Sequence, residues 1–333
     1  MSKAVDESVL NSRVVAVMVA YNRQDLLVQA LDALGKQTRA VDAVLVVDNA
    51  STDDSAAVAE SHPTTTKLLR LPRNTGGAGG FATGIASALE SLDADYVWLM
   101  DDDTIPEPDA LKALLEACAT YPGRVTVAGS RVLWTDGRDH PMNTPRRRPR
   151  SSSSEDMAAG SVQSLPVRSS SFVSMLIDTQ AIREVGLPVA DYFIWNDDFE
   201  YSLRLLRDSV GLAVHSSKVL HLTKTFGATD ADPGERFFYE VRNKIWLLRL
   251  SPGLTPMERV LYTGASAKRW FKTLMKSKNP KLLLRVGAKG VKHGLLKRPL
   301  PTHAVLFGLG ELTEQIRTVD APSLTGRNST VGS

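Results

Sequence analysis

Cysteine is nearly absent from this chain of 333 residues: Cys118 is the only one. An intrachain disulfide and a cysteine-based metal site are therefore excluded, and Cys118 reads as a small core residue of a helical segment over 109–120. Long apolar runs are also missing. The longest, such as Val14–Ala20, suit strands and are too short to span a bilayer. The start of the chain, Met1–Glu7, carries acids and lacks the apolar core of a signal peptide, so a cytoplasmic protein is expected. Acidic residues are absent between Arg259 and Gly310, where twelve Lys and Arg stand. The rest holds 28 of the 40 basic residues against all 37 acidic ones, a net of −9. An acidic body with a basic tail implies an anionic partner for the tail, membrane or nucleic acid.

What is present is a 43% hydrophobic chain, enough for one large domain or a domain with an appendage. Short apolar runs over 13–20, 43–47, 67–71 and 96–100 alternate with helical patterns over 23–36, 53–61, 79–92 and 109–120. That alternation predicts an α/β fold with a mostly parallel, doubly wound sheet. Arginine, proline and serine crowd residues 138–171, which reads as a flexible loop. Strand-like sequence resumes over 171–177 and 217–222. From Glu235 the pattern is helical, with Pro280, Gly287, Gly290, Gly294 and Pro299 expected to break the tail into pieces. Residues 311–333 end polar, and fraying is expected there.

The strongest chemical signal is Val97–Met100 followed by Asp101, Asp102 and Asp103. A buried strand ending in carboxylates sits at the sheet edge where ligands bind. Adjacent carboxylates repel, so a hard divalent cation such as Mn²⁺ or Mg²⁺ is a natural partner, often shared with phosphate. The plain alternative is an acidic turn before a helix. Two other strands bring polar groups to the same edge: Tyr21, Asn22 and Arg23 after the first, Asp48 through Asp53 after the second. Asp48 suits a nucleobase N–H, whereas Thr52 and Asp53 read as a helix cap. Asn74–Phe81 is a glycine-rich turn before a helix, either a plain turn or a cradle for an anion. It lacks the Gly-Lys-Ser/Thr ending of a Walker motif.

A second acidic cluster, Asn196–Glu200, follows Trp195. Burial beside tryptophan raises a carboxyl pKa and suits a general base. Asp197 and Asp198 are the candidates, while Glu200 and Arg204 have the spacing of a helical ion pair. His221 lies alone in an apolar strand. It is a core histidine or the nitrogen ligand that an oxygen-bound metal still needs.

In this order the segments Ala20–Arg23, Val47–Asp53, Asn74–Gly77, Asp101–Asp103 and Asn196–Glu200 resemble the inverting GT-A glycosyltransferases of family 2. Asn74–Phe81, the aspartate triplet, Trp195–Glu200 and Arg242-Asn243 are similar to bacterial rhamnosyl- and galactofuranosyltransferases, among them those that begin cell-wall galactan in mycobacteria and their relatives. The resemblance covers residues 13–250. It implies a glycosyltransferase domain over 1–250 and a basic, membrane-associating helical region over 251–333. It also implies a UDP-galactofuranose donor and a polyprenyl-diphosphate-linked GlcNAc–rhamnose acceptor. By the same resemblance Asp101, Asp103 and His221 hold Mn²⁺ or Mg²⁺, and Tyr21, Asn22, Asp48, Asn74, Gly76, Gly77 and Asp102 serve the donor. Trp195 and Glu200 shape the acceptor side, and Asp197 or Asp198 is the base. Relatives often read Trp-Asp-Asp; here Asn196 intervenes, which leaves the choice of base open.

An inverting mechanism needs no enzyme nucleophile. A rhamnosyltransferase using dTDP-rhamnose and a non-catalytic sugar-nucleotide binder are the competing readings. Strand-tip carboxylates repel nucleic-acid phosphate unless metal is bound, which favours an anionic membrane as partner, at the cytoplasmic face of the plasma membrane. Oligomeric state is left open.

Overall fold

Runs such as Val14–Ala20 and Ala43–Asp48 lack polar alternation because water reaches neither side of them: every residue of both strands is buried. The computed structural model describes residues 5–223, 226 and 232–320. Ten strands are formed there: β1 (Val14–Ala20), β2 (Ala43–Asp48), β3 (Lys67–Arg70), β4 (Tyr96–Asp101), β5 (Thr104–Pro106), β6 (Val125–Leu133), β7 (Arg146–Arg147), β8 (Ser164–Ser169), β9 (Met175–Asp178) and β10 (Val210–His221). They join one mixed sheet in the order β3-β2-β1-β4-β9-β6-β10-β8-β7, with β5 on β10. Its longest pairings, β1 with β2 and β4 and β6 with β10, are parallel. Ala20 pairs with Asp48 and Val19 with Asp101, so three strand tips meet at one edge.

The first helices are α1 (Glu7–Leu10), α2 (Gln24–Gly35), α3 (Ser55–Ser61), α4 (Gly76–Ser91), α5 (Ala110–Thr120), α6 (Ser153–Gly160), α7 (Thr179–Val185) and α8 (Asp197–Leu205). Leu27, Leu31 and Leu34 of α2 and Leu111, Leu114 and Cys118 of α5 cover one sheet face. Phe81, Ile85 and Leu89 of α4 cover the other. Each fully buried Leu or Phe contributes about 1.5–3 kcal/mol of transfer free energy, which fixes the sheet between two helical layers.

Two expectations are corrected here. Residues 138–171 hold β7, α6 and β8 rather than a structureless loop. Arg147 pairs with Asp156 and Arg148 with Glu155, and Arg148 also donates to the carbonyls of Leu206 and Ser209. The basic tail is not broken at its glycines. After α9 (Phe237–Leu250) come α10 (Pro256–Lys276), α11 (Pro280–Leu296), α12 (Thr302–Val305) and α13 (Glu311–Val319). Gly287, Gly290 and Gly294 lie on one face of an unbroken α11, where an added Cβ at Gly294 would stand 2.7 Å from Ile245 Cβ. Small residues there let α11 lie close against α9. Pro280 opens α11 at its first turn, where proline costs no hydrogen bond.

Leu306, Ile316 and Val319 return to the main core, so α12 and α13 pack on the body. Within the stretch expected to fray, Glu311–Val319 is helix; residues 321–333 lie outside the described residues. No helix among the described residues is long and apolar enough to cross a membrane.

Candidate active site

Because β4 runs parallel to β1 and β2, its terminal Asp101 and the turn residues Asp102 and Asp103 lie beside Tyr21 and Asp48. The turn then reverses into β5, which pairs antiparallel with β10 and sets His221 opposite Thr104. One ligand atom from each of Asp101, Asp103 and His221 lies within 4.8 Å of the others. His221 Nε2 stands 3.1 Å from Asp103 Oδ1.

The histidine's tautomer follows from its other nitrogen. Asn143 Nδ2 donates to Ser171 Oγ at 3.0 Å, which turns Asn143 Oδ1 toward His221 Nδ1 at 2.9 Å. Nδ1 therefore carries a proton; Nε2 donates to Asp103 when the ring is protonated, and in the neutral ring its lone pair is free for a metal beside the carboxylates. Two carboxylate oxygens and an imidazole nitrogen, with the far ring nitrogen hydrogen-bonded, is a donor set that fits a divalent cation.

Charges in the triplet diverge. Burial, reinforced by the charge of Asp103, pushes Asp101 up to about 7. Burial pushes Asp102 up to about 6 against the pull of Arg23. Asp103 is held below the usual carboxylate range, because the hydrogen bond and charge of His221, with Arg23, outweigh its burial. His221 is raised in turn by Asp103. Arg23 reaches Asp102 at 3.1 Å and Asp103 at 2.5 Å. Asp102 also accepts from the Tyr21 backbone N–H at 3.0 Å, tying the β1 tip to the triplet.

At the β2 tip, buried Asp48 accepts from the Ser51 N–H. Tyr21, 43% exposed, faces outward from the same edge. The Asn22 side chain is engaged locally: its Oδ1 accepts from the Thr52 N–H at 2.7 Å and from the Thr52 hydroxyl. Asn22 thus braces the β1 and β2 loops against each other. Asp53 accepts from the Ser55 N–H just before α3, whose N-cap position is held by Asp54 rather than by Thr52 or Asp53. Asn74 shapes the glycine turn, its Oδ1 accepting from the Gly76 N–H. Asn49 holds the other side of that turn, accepting from Thr75 and donating to the Gly76 carbonyl.

The glycine turn locates the second acidic cluster. Gly76 has φ +71°, and a Cβ there would stand 2.0 Å from the Phe193 carbonyl oxygen. The Phe193 carbonyl accepts from the Ala78 N–H. Phe193, Trp195 and Asn196 all have positive φ, a costly backbone for residues other than glycine. Asn243 of α9 holds that backbone by donating to the carbonyls of Tyr192, Ile194 and Trp195 at 2.8–2.9 Å. Asp197 opens α8 directly after this loop, and its Oδ2 lies 3.9 Å from where a Gly77 Cβ would stand.

Asp197 is 8% exposed, and burial together with the charge of Asp198 pushes its carboxyl well above the usual range. Asp198 is also raised by burial, and it accepts from the Phe199 N–H and bonds with Ser171. The two carboxyls look different ways. Asp197 feels Asp101, while Asp198 feels Lys244 and Arg146. Ser171, shared by Asn143 and Asp198, links the histidine to the acidic pair. Trp195 lies under the Arg236 guanidinium.

Glu200, expected on the acceptor side, is 1% exposed and forms a buried pair with Arg204 at 2.9 Å, with a further hydrogen bond from Ser251. Its i,i+4 spacing to Arg204 was visible in the sequence, and burial decides for the ion pair. Arg23, Asn49, Asn143, Ser171 and Asn243 were not singled out as site residues. Arg23, Asn49 and Asn243 lie within segments that carry the family resemblance; Asn143 and Ser171 are recognised only through distant partners.

The glycosyl transferase family 2 model matches residues 15–175. Galactofuranosyltransferase GlfT1 of Mycobacterium tuberculosis is 32% identical over 262 residues, covering 74% of this chain and 84% of that protein. GlfT1 of Mycolicibacterium smegmatis is 32% identical over 201 residues, 59% and 66% of the two chains. The structure of S. aureus TarS in complex with UDP-GlcNAc is similar at a TM-score of 0.58 and 14% identity, over 92% of this chain and 90% of that one. Mannosyltransferase PcManGT from Pyrobaculum calidifontis, in complex with GDP-Man and Mn²⁺, gives a TM-score of 0.53 at 17% identity, over 92% and 85%. With its mixed, mostly parallel sheet and this relationship to GlfT1, the chain belongs to glycosyltransferase family 2 and has the GT-A fold.

Proposed function

We propose that the chain transfers galactofuranose from UDP-galactofuranose to a polyprenyl-diphosphate-linked GlcNAc–rhamnose, with inversion, in cell-wall galactan synthesis. The transfer chemistry rests on one juxtaposition: Asp197 faces the glycine turn beside Asp101, Asp103 and His221. The choice of sugar rests on the similarity to GlfT1.

In this reading the acceptor hydroxyl lies against Asp197. Its proton moves to the Asp197 carboxylate as its oxygen bonds to the anomeric carbon. The carbon's bond to the UDP oxygen breaks on the opposite face, and that electron pair leaves with UDP. Burial raises the basicity of Asp197, which improves proton transfer. Asp101, Asp103 and His221 would hold Mn²⁺ or Mg²⁺, which when bound neutralises charge on the leaving diphosphate. Tyr21 and Asp48 contact the uridine, Gly76 and Gly77 border the donor sugar, and Trp195 shapes the acceptor side. Asp102 holds the β1 tip and Arg23 in place for the donor.

The acceptor's lipid brings the reaction to the cytoplasmic face of an anionic membrane. One exposed stripe of α10 carries Met257, Leu261, Phe271 and Met275 with Lys268 and Lys272. Apolar side chains interleaved with lysine suit the interface of such a bilayer.

The test offers UDP-galactofuranose and dTDP-rhamnose separately to the protein with a short-lipid diphosphate disaccharide, and weighs the product. The reading expects one hexose added from UDP-galactofuranose. Transfer of a deoxyhexose alone, or donor binding without any turnover, would refute it.

A further inference from the structure

Lys244 of α9 is 5% exposed, yet it makes no hydrogen bond or ion pair among the described residues. Its ammonium lies 4.7 Å from the centroid of the Phe199 ring. The Arg146 guanidinium lies 4.5 Å from the same ring and is likewise without an ion pair among the described residues. Phe199 follows Asp198 directly, so two cations flank the acidic pair on the Asp198 side. A buried ammonium without a hydrogen-bond partner is costly, because the water that would solvate it has been removed and an aromatic face replaces it only in part.

Glu240, one helical turn before Lys244 on α9, is its strongest neighbouring negative charge, but that charge is shared. Glu240 is already engaged by Arg269, by the Trp270 indole N–H and by Asn196. Asp198 is the other carboxylate that Lys244 feels; it faces Arg146 as well, and it is itself raised by burial. Two carboxylates, Glu240 and Asp198, thus stand among three cations, Lys244, Arg146 and Arg269, which leaves this cluster short of negative charge. Consistent with this, burial pushes the Lys244 ammonium down to about 8.

The surroundings narrow the anion. Asp101, Asp103 and His221 lie on the Asp197 side, where the donor diphosphate belongs. Beyond the cations stands α10, whose Tyr262 packs edge-on against Phe199 and whose outer stripe exposes Leu261, Phe271 and Met275. An anion between Asp198 and an apolar, basic helix has sugar on one side and lipid on the other.

We propose that Arg146 and Lys244 bind the diphosphate of a lipid-linked acceptor, holding its sugar toward the acidic pair and its lipid toward α10. This deepens the function proposed above and rests on its lipid-linked acceptor. Arg146 comes from the 138–171 segment, so that segment supplies acceptor binding through Arg146 as well as bracing of His221 through Asn143.

Two measurements test it. The first is calorimetric binding of farnesyl diphosphate to the full chain, with EDTA present and UDP saturating, so that neither a metal nor the donor pocket captures the probe. Lys244→Met and, at the exposed position, Arg146→Met should each weaken binding at least tenfold, with Lys244→Arg recovering most of it. UDP affinity, measured separately, should stay within twofold. Unchanged farnesyl diphosphate affinity in both methionine variants overturns the proposal, and so does a loss of UDP affinity, which would assign the cations to the donor.

The second compares kcat/KM for a diphosphate-linked disaccharide with that for the same disaccharide as a neutral alkyl glycoside. Lys244→Met should reduce the preference for the diphosphate at least tenfold; equal loss on both acceptors overturns the assignment. If the wild type transfers no galactofuranose but the binding losses appear, the proposed sugar transfer fails and this site stands. If transfer is normal and the preference is unaltered, this site fails alone.

Discussion

Replacing Gly76 with alanine should cripple transfer although Gly76 has no side chain to take part in it. The new Cβ would stand 2.0 Å from the Phe193 carbonyl oxygen, where ordinary contact begins at 3.4 Å, so the two must part by about 1.4 Å. Phe193 cannot retreat freely, because Asn243 pins the carbonyls on both sides of it, those of Tyr192 and Ile194. The shift passes along the loop to Trp195 and Asp197. A misplacement of about 1 Å can cost ~10²-fold in rate, which corresponds to about 2.7 kcal/mol of barrier. Alanine at φ +71° adds about 1–2 kcal/mol of backbone strain to the folded state. At ~2 °C per kcal/mol for a large domain, the melting temperature should fall by only a few degrees.

Turnover, UDP affinity and melting temperature can be measured on one preparation, with Gly77→Ala as comparison. At Gly77 an added Cβ meets only the Asp197 carboxylate, at 3.9 Å, so its melting temperature should be unchanged. Full turnover in Gly76→Ala would refute the idea that the glycine turn positions the acidic loop.

Asp103→Ala should abolish transfer and weaken UDP binding in the presence of Mn²⁺ or Mg²⁺ but not in EDTA; wild-type turnover unaffected by EDTA would remove the metal from the account. Acceptor affinity should fall as pH rises through about 8. Lys244 titrates near there, is charged and anion-binding below that pH, and is neutral above it. The groups facing Lys244 are Asp198, Glu240, Arg146 and Arg269, and a KM for the diphosphate acceptor that stays flat from pH 7 to 9 would contradict its role. Phe271→Asp with Met275→Asp, on the exposed stripe of α10, should reduce co-sedimentation with anionic liposomes while turnover of a short soluble acceptor persists; unchanged sedimentation would give that stripe another partner.

The strand tips were legible because buried parallel strands appear as apolar blocks, and the first polar residues after them fall at one edge. The aspartate triplet and Asp48 are legible this way, and the parallel register gathers them; the glycine turn is legible from its composition, and Asn49 ties it to the β2 tip. Residues 138–171 were misread because their arginines suggested solvent. Their partners lie far along the chain: Arg148 bonds the carbonyls of Leu206 and Ser209, and Arg146 lies over Phe199. Local composition carries no trace of such pairings. For Glu200 the sequence shows the i,i+4 spacing to Arg204, and the structure adds that both members of the pair are buried. The glycines of α11 were read as breaks, although their shared helical face marks close packing on α9.

The most direct test of the central claim is single-turnover transfer by Asp197→Asn beside Asp198→Asn, with UDP affinity measured on the same samples. A general base contributes typically ~10²–10⁴-fold, so Asp197→Asn should slow transfer by at least ~10²-fold while binding UDP normally. Asp198→Asn should act mainly through acceptor KM, since Asp198 faces Arg146 and Lys244. Normal turnover in Asp197→Asn with a comparable collapse in Asp198→Asn would move the base to Asp198. Normal turnover in both would contradict the account of this site.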